Sequence, residues 1–391
     1  MIYMDAAATT PVDPDIFRAI KPYFMEVYGN PSSLHSMGRK AREAIDKARK
    51  QVSDCLGCEV SQIFFTSGAT EADNWAIQML EDYLISKGDY RHKIFYLPIE
   101  HKAILNSLPL ESLPLTIDKN GVATLDIDEA VILGNKDIPV AITCMWINNE
   151  VGSIQPIKDL SDFCYENHIP LHVDATQAVG KIPINLKEYP GITTLAFSGH
   201  KIHSCKGAGA LFIRDPQADY VKPFIHGGGQ EHGLRAGTEN VPAIVGLGVA
   251  MEKIGKRNRT DWIAKSRYIR EMYAFLKEEI AKIPKVRFNG DYEFQLPHYL
   301  NVSFKGILGE TLALALGRRG ICVSTGSACN TGSLEPSYVL KVIGVPEEYI
   351  DGTIRITLSE QNTFEECEKV AEAIKEEVAK LRSVSPTWKG E

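Results

Sequence analysis

Short apolar runs alternate with segments of helical periodicity over the first two-thirds of the chain, and this alternation constrains the fold more than any other feature. Ile63-Phe64-Phe65 precedes a helical pattern over 69–86. Ile94 to Leu97 precedes one over 101–108, and Val140 to Trp146 precedes one over 156–167. Leu171-His172-Val173, Thr194 to Phe197 and Ala210 to Ile213 supply three further runs. A run that is apolar throughout suits a strand covered on both faces. Strands that alternate with helices predict an α/β fold around a largely parallel sheet. Ahead of them, Asp13-Pro14 reads as an N-cap and first-turn proline. The helix they open carries Ile16, Ile20, Phe24 and Val27 at helical spacing. Ala41, Ile45, Ala48, Val52 and Leu56 mark one face of a second helix.

Beyond about residue 240 the pattern changes. A helical stretch over 241–281 is interrupted near Lys256-Arg257-Asn258-Arg259. Short strands follow near 285–288 and 299–304, then a helix over 309–318 and a Gly/Ser-rich loop over 324–333. Thr353 to Leu358 alternates like a strand. Thr363 and Glu366 form a capping box that opens a last helix with Val370, Ile374, Val378 and Leu381 on one face. The expected organisation is a large α/β domain over 15–255 and a smaller α+β domain made of 1–14 and 256–391.

Composition narrows the function. A chain of 391 residues has length for more than one domain. Its 43 basic and 50 acidic residues give a net charge of −7, which argues against a broad surface for nucleic-acid backbones. No apolar run approaches the length of a membrane span. The N-terminus lacks a basic region ahead of an apolar core. With eight cysteines spread along the chain, a reducing, cytoplasmic setting is expected. Cys55 and Cys58 form a C-x-x-C without a second pair, so no intrinsic metal site is expected.

Four segments fall at the ends of apolar strands, where open α/β sheets place their ligands. Thr66-Ser67-Gly68-Ala69-Thr70-Glu71 joins a strand to a helix. Its small residues and helix-opening N–H groups suit a phosphate, or simply cap the helix. His172-Val173-Asp174-Ala175-Thr176-Gln177 places a carboxylate at a buried strand end. There it either pairs with a protonated ring nitrogen or caps the next turn. Ser198-Gly199-His200-Lys201 ends another strand. A desolvated lysine there is costly to charge and suited to a Schiff base, whereas a snorkelling lysine would do no chemistry. Asp174 and Lys201 on neighbouring strand ends match a pyridoxal-phosphate (PLP) arrangement. The fourth segment, Val323 to Ser333, holds Cys329 in a small, polar loop where a thiol has little to pack against. A free thiol titrates near ~8.5, so thiolate is accessible around neutrality. The glycine-rich connector Gly227 to Asn240 is too long for a plain turn. Arg355, in an alternating strand, either forms a bidentate pair with a carboxylate or stands exposed.

With these motifs in order, the chain resembles the cysteine desulfurases of the NifS/IscS type, class-V aminotransferases of PLP fold type I. The likeness also runs through Asp5 to Thr10, Gly29 to His35, Asn148 to Gly152 and Ser327-Ala328-Cys329. It implies an aspartate-aminotransferase-like fold with a large, mainly parallel sheet domain of the seven-stranded type. It implies that Lys201 carries PLP and moves protons, that His101 stacks on its ring, that Asp174 pairs with the ring nitrogen and that Gln177 bonds the ring hydroxyl. Ala69, Thr70, Ser198 and His200 would surround the phosphate, with Thr238 reaching it from the other subunit of a homodimer. Asn149 and Arg355 would bind the carboxylate of L-cysteine. Cys329 would attack the substrate sulfur, giving alanine and a persulfide for an iron–sulfur scaffold or tRNA-thiolation protein. Through that persulfide Cys329 would also be able to ligate a transferred iron–sulfur cluster.

The likeness has departures. Ile202-His203-Ser204-Cys205-Lys206-Gly207 replaces the usual Ile-Tyr-Gly-Pro-Lys-Gly, and Cys205 is expected to be a packing substitution. Selenocysteine lysis, another PLP aminotransferase-type reaction and a weakly catalytic sulfur-relay platform remain alternatives. The loop cysteine argues against transamination, which has no need of one.

Overall fold

The computed structural model describes residues 1–88, 93–124, 140–290, 292–325, 336–386 and 388. Strands β1 (Ile2–Tyr3), β2 (Ile63–Thr66), β3 (Lys93–Tyr96), β4 (Leu113–Pro114), β5 (Val140–Thr143), β6 (Leu171–Asp174), β7 (Ile192–Ser198) and β8 (Gly209–Ile213) come first. Seven of them, β2 to β8, form one sheet in the order β2-β8-β7-β6-β5-β3-β4. Neighbours from β7 to β4 are parallel, while β8 runs antiparallel to both β2 and β7. This is the expected α/β fold with a mainly parallel seven-stranded sheet. The strands β2, β6 and β8 are buried along their whole length and β7 at all but Thr193, as strands covered on both faces should be.

A second sheet joins β9 (Val286–Asn289), β10 (Tyr299–Phe304), β12 (Ser324–Thr325) and β13 (Thr353–Thr357) in the order β12-β13-β10-β9. The first strand, β1, pairs in parallel with β11 (Ile321–Cys322). Met4 packs with Leu300, Val302 and Ile356 in a core that also takes in the last helix, 364–383. The larger core gathers Ile45, Val52 and Leu56 of helix 36–56, Leu247 and Met251 of helix 241–255, and the inner strands of the seven-stranded sheet. Among the described residues no helix is long and apolar enough to cross a membrane.

Most helices stand where the periodicity predicts them, with three corrections. The first expected helix divides into Pro14–Ile20 and Pro22–Met25, and Phe24 is exposed rather than buried. Pro22 has no N–H to continue the ladder. The expected helix over 101–108 ends at Leu105, because the Ser107 hydroxyl competes for the carbonyls of Ala103 and Ile104 at 2.8 and 2.9 Å. The strand read over 140–146 ends its ladder at Thr143. Its continuation still pairs with β6 through Cys144 N to His172 O (3.0 Å) and Trp146 N to Asp174 O (2.9 Å).

Candidate active site

Strand register brings the motifs together. Gly209, at the start of β8, lies opposite both Thr66 of β2 and Ser198 of β7, and Asp174 of β6 lies opposite Ala196 of β7. A Cβ on Gly209 would fall 2.7 Å from Gly68 Cα and 2.7 Å from Phe197 O. Only glycine there lets the Ser67-Gly68 turn close onto the sheet. Gly68 is the N-cap of helix 69–86 and has no side chain to cap it. The first-turn N–H groups are thereby left for an anion.

A cavity of about 570 Å³ opens at these strand ends. Ala69, Thr70, Ser198 and His200 line the side next to the helix N-terminus. His101, Asp174, Gln177 and Lys201 also line it, as do Asn149 and Arg355. Two expected site residues are not in this wall. Thr238 is exposed in the connector, and Cys329 lies outside the described residues.

The Lys201 ammonium donates to the carbonyls of Ala7 (2.6 Å) and Ala8 (2.9 Å), so the N-terminal segment closes one flank of the cavity. His101 caps its short helix by accepting from Ala103 N at 3.1 Å through Nδ1. Asp174 accepts from Thr176 N at 2.8 Å, so it caps the turn and also faces the cavity. Behind it His172 bridges Thr194 Oγ1 (2.9 Å) and Asp73 Oδ1 (3.3 Å). Burial pushes His172 down to about 3, so it is neutral. Burial, then the negative charge of Asp174, raises both Asp73 and Glu100 far above the usual carboxylate range. His200, 3.1 Å from Thr9 Oγ1, is pushed down to about 4 by burial and the charges of Lys201 and Lys206.

Arg355 is buried, which settles one of the sequence alternatives. Its carboxylate partner in the structure is Asp5, at 2.9 Å, and it also donates to Asn149 O at 2.8 Å. Arg355 Nε, Asn149 Oδ1, Thr176 Oγ1 and Asp73 Oδ2 are buried without a hydrogen-bond partner, and all four residues line the cavity. Buried polar groups are nearly always satisfied. Both donors and acceptors therefore await a ligand with anionic and polar groups, and the residues present fit PLP together with an amino-acid substrate.

Sequence reasoning missed the Ala7 and Ala8 carbonyls, Asp73, Glu150 and Tyr338 in the cavity wall. Asp73 had a signal, a carboxylate among Ala72, Trp75 and Ala76 on the buried helix face. Glu150 is pushed up to about 7 by burial, against the pull of the Ser337 hydroxyl (2.5 Å) and the charges of Arg355, Lys102 and His101. The connector is fastened by two bidentate pairs. Arg49 holds Glu231 with two contacts of 2.7 Å, and Arg235 holds Glu71 at 2.6 and 2.9 Å. Cys205 is half-buried against the main core and outside the cavity wall, with its thiol raised by burial. Burial also pushes Cys55 and Cys58 up to about 12, which suppresses their thiolates.

The family model for class-V aminotransferases matches residues 2–370. The cysteine desulfurase IscS of Methanosarcina thermophila is 43% identical, over 98% of this chain and 94% of its own length. The cysteine desulfurase of Trichormus azollae is also 43% identical, over 99% and 95%. A solved NIFS-like protein superposes with a TM-score of 0.86 at 35% identity, covering 97% of this chain and all of its own. SspA, solved in complex with cysteine, gives 0.78 at 34% identity, covering 93% and all of its own. The chain thus belongs to the class-V aminotransferases and, among them, to the PLP-dependent cysteine desulfurases of the NifS/IscS type.

Proposed function

We propose that this chain converts L-cysteine to L-alanine and carries the released sulfur as a persulfide on Cys329. One observation carries the reading. Lys201 and Asp174, from the ends of neighbouring strands, share a cavity with Arg355 and the unpartnered amide oxygen of Asn149. A solved neighbour, SspA in complex with cysteine, supports the substrate. PLP, when bound, supplies the electron sink that lets negative charge develop on the substrate carbon. Lys201 holds the cofactor and moves the proton of the substrate α-carbon. Asp174 would offer its carboxylate to the ring nitrogen, His101 would stack on the ring and Gln177 would donate to the ring oxygen. The N–H groups at Ala69 and Thr70, with Ser198 and His200, would hold the phosphate. Arg355 and Asn149 orient the substrate carboxylate. The Cys329 thiolate takes the substrate sulfur. An S–S bond forms as the C–S bond breaks, and the electron pair left on carbon is protonated to give alanine.

The exposure of Thr238 outside its own cavity supports a homodimer in which it reaches the phosphate of the other subunit. The sulfur goes on to an acceptor protein of the iron–sulfur scaffold or tRNA-thiolation kind, in the cytoplasm. We assign the two domains as 15–255 and 1–14 plus 256–391, supported by the pairing of β1 with β11. The test is alanine formation from L-cysteine by the PLP-loaded enzyme, with borohydride reduction to fix the cofactor. Alanine should form, and the cofactor mass should sit on the Lys201 peptide. Lys201→Ala should lose both. Alanine formation at the wild-type rate by that variant would refute the assignment.

A further inference from the structure

The amide of Gln177 is held in one orientation by two donors that play no part in the chemistry above. Tyr299, fully buried on β10, donates its hydroxyl to Gln177 Oε1 at 2.5 Å. Lys181 donates to the same oxygen at 3.0 Å and to the Gln177 carbonyl at 3.2 Å. An ammonium is only a donor. Burial raises the Tyr299 phenol further above its ordinary range, so it keeps its proton and donates as well. An oxygen that accepts from both must be the carbonyl end of the amide. The NH2 end therefore faces the other way, where one N–H reaches Ala7 O at 3.0 Å and the second is free for an acceptor in the cavity. Tyr299 seats against Gly152, where a Cβ would fall 2.6 Å from the tyrosine Cβ and where φ is +77°.

Resting on the PLP reading above, we propose that Lys181 and Tyr299 are positioning residues. They lock Gln177 as a donor, so that the site favours the negatively charged form of the cofactor's ring oxygen. A donor on that oxygen draws its charge away from the proton on the neighbouring Lys201 nitrogen. Loss of the lock lets the amide turn and leaves that proton held more tightly. Lys181 is partly buried, and burial, with the charges of Lys201 and Arg355, pushes it down to about 7. The amide orientation holds for either form of the amine, because Ala7 O can only accept and so faces the NH2 end.

The test uses the loaded enzyme, Tyr299→Phe, Lys181→Met and the double variant. Three quantities are read: the pH midpoint of the bound cofactor's visible absorbance, the PLP dissociation constant of the refilled apoprotein, and the thermal midpoint. Each single variant should raise the absorbance midpoint and weaken PLP by roughly 3- to 10-fold, about 0.6–1.4 kcal/mol. The double variant should be little worse than either single one, because both donors act through one amide. Tyr299→Phe removes one oxygen without changing shape, so it answers the question even if Lys181→Met unfolds. An unmoved absorbance midpoint with unchanged PLP affinity would overturn the proposal, as would single effects that simply multiply in the double variant. A wild type that takes up no PLP would overturn the reading of the cavity, and the lock with it.

Discussion

Replacing Gly209 with alanine tests whether the close approach of three strands builds the phosphate end of the cavity. The added methyl would sit 2.7 Å from Gly68 Cα and 2.8 Å from its carbonyl carbon, with Phe197 O at 2.7 Å on the other side. Carbon atoms in contact rest about 3.5–4.0 Å apart. Backbone must therefore yield by roughly 1 Å, and no flexible side chain is present to absorb it. Overpacking of this kind costs about 1–3 kcal/mol. The strain has two outlets. If β8 moves off β2, the apoprotein loses that stability. If the Ser67-Gly68 turn moves instead, PLP affinity falls by about 5- to 150-fold for the same energy. Titration of the apoprotein with PLP, followed by visible absorbance, reads the second outlet, and urea unfolding of the apoprotein reads the first. The two losses should together amount to 1 kcal/mol or more, with PLP affinity carrying a measurable share. A variant with wild-type PLP affinity and wild-type unfolding would refute the argument.

Two further predictions concern buried charge. Glu150, raised from 4.5 to about 7, binds its proton more tightly in the folded chain than in the unfolded one. Its stabilising contribution is complete below pH 4.5 and is lost as pH rises to about 7, a change on the order of 3 kcal/mol. Glu150→Gln should lack that slope, so that the wild-type stability falls relative to the variant's between about pH 4.5 and 7, measured by urea unfolding; parallel curves would count against it. Glu231→Ala leaves the buried Arg49 guanidinium without its carboxylate and the Phe65 N–H without its 2.9 Å acceptor. Unfolding should show a loss of about 3–5 kcal/mol, and a loss under ~1 kcal/mol would mean that the connector is not fastened there.

What was legible in the sequence is what local chemistry determines. The helices 69–86 and 309–318 stand where periodicity places them, and the Thr363–Glu366 capping box forms as read. Lys201 and Asp174 were legible because a charged residue at the end of an apolar strand has few structural uses. The missed features depend on contacts between distant parts of the chain. Asp5 meets Arg355 across 350 positions, and Lys201 finds the carbonyls of Ala7 and Ala8 across more than 190. No periodicity carries such a pairing. Tyr299 reaches Gln177 across 122 positions, and Gly209 becomes critical only once its register with Thr66 brings it against Gly68. The raised pKa values of Glu100 and Glu150 arise from burial that tertiary packing alone creates.

The most direct test of the account is sulfide release from L-cysteine in the presence of a thiol reductant, comparing the PLP-loaded wild type with Cys329→Ala. The wild type should release sulfide and the variant should release almost none while keeping the wild-type cofactor absorbance. An inactive wild type, or a variant that matches it, would contradict the assignment of Cys329 as the sulfur acceptor.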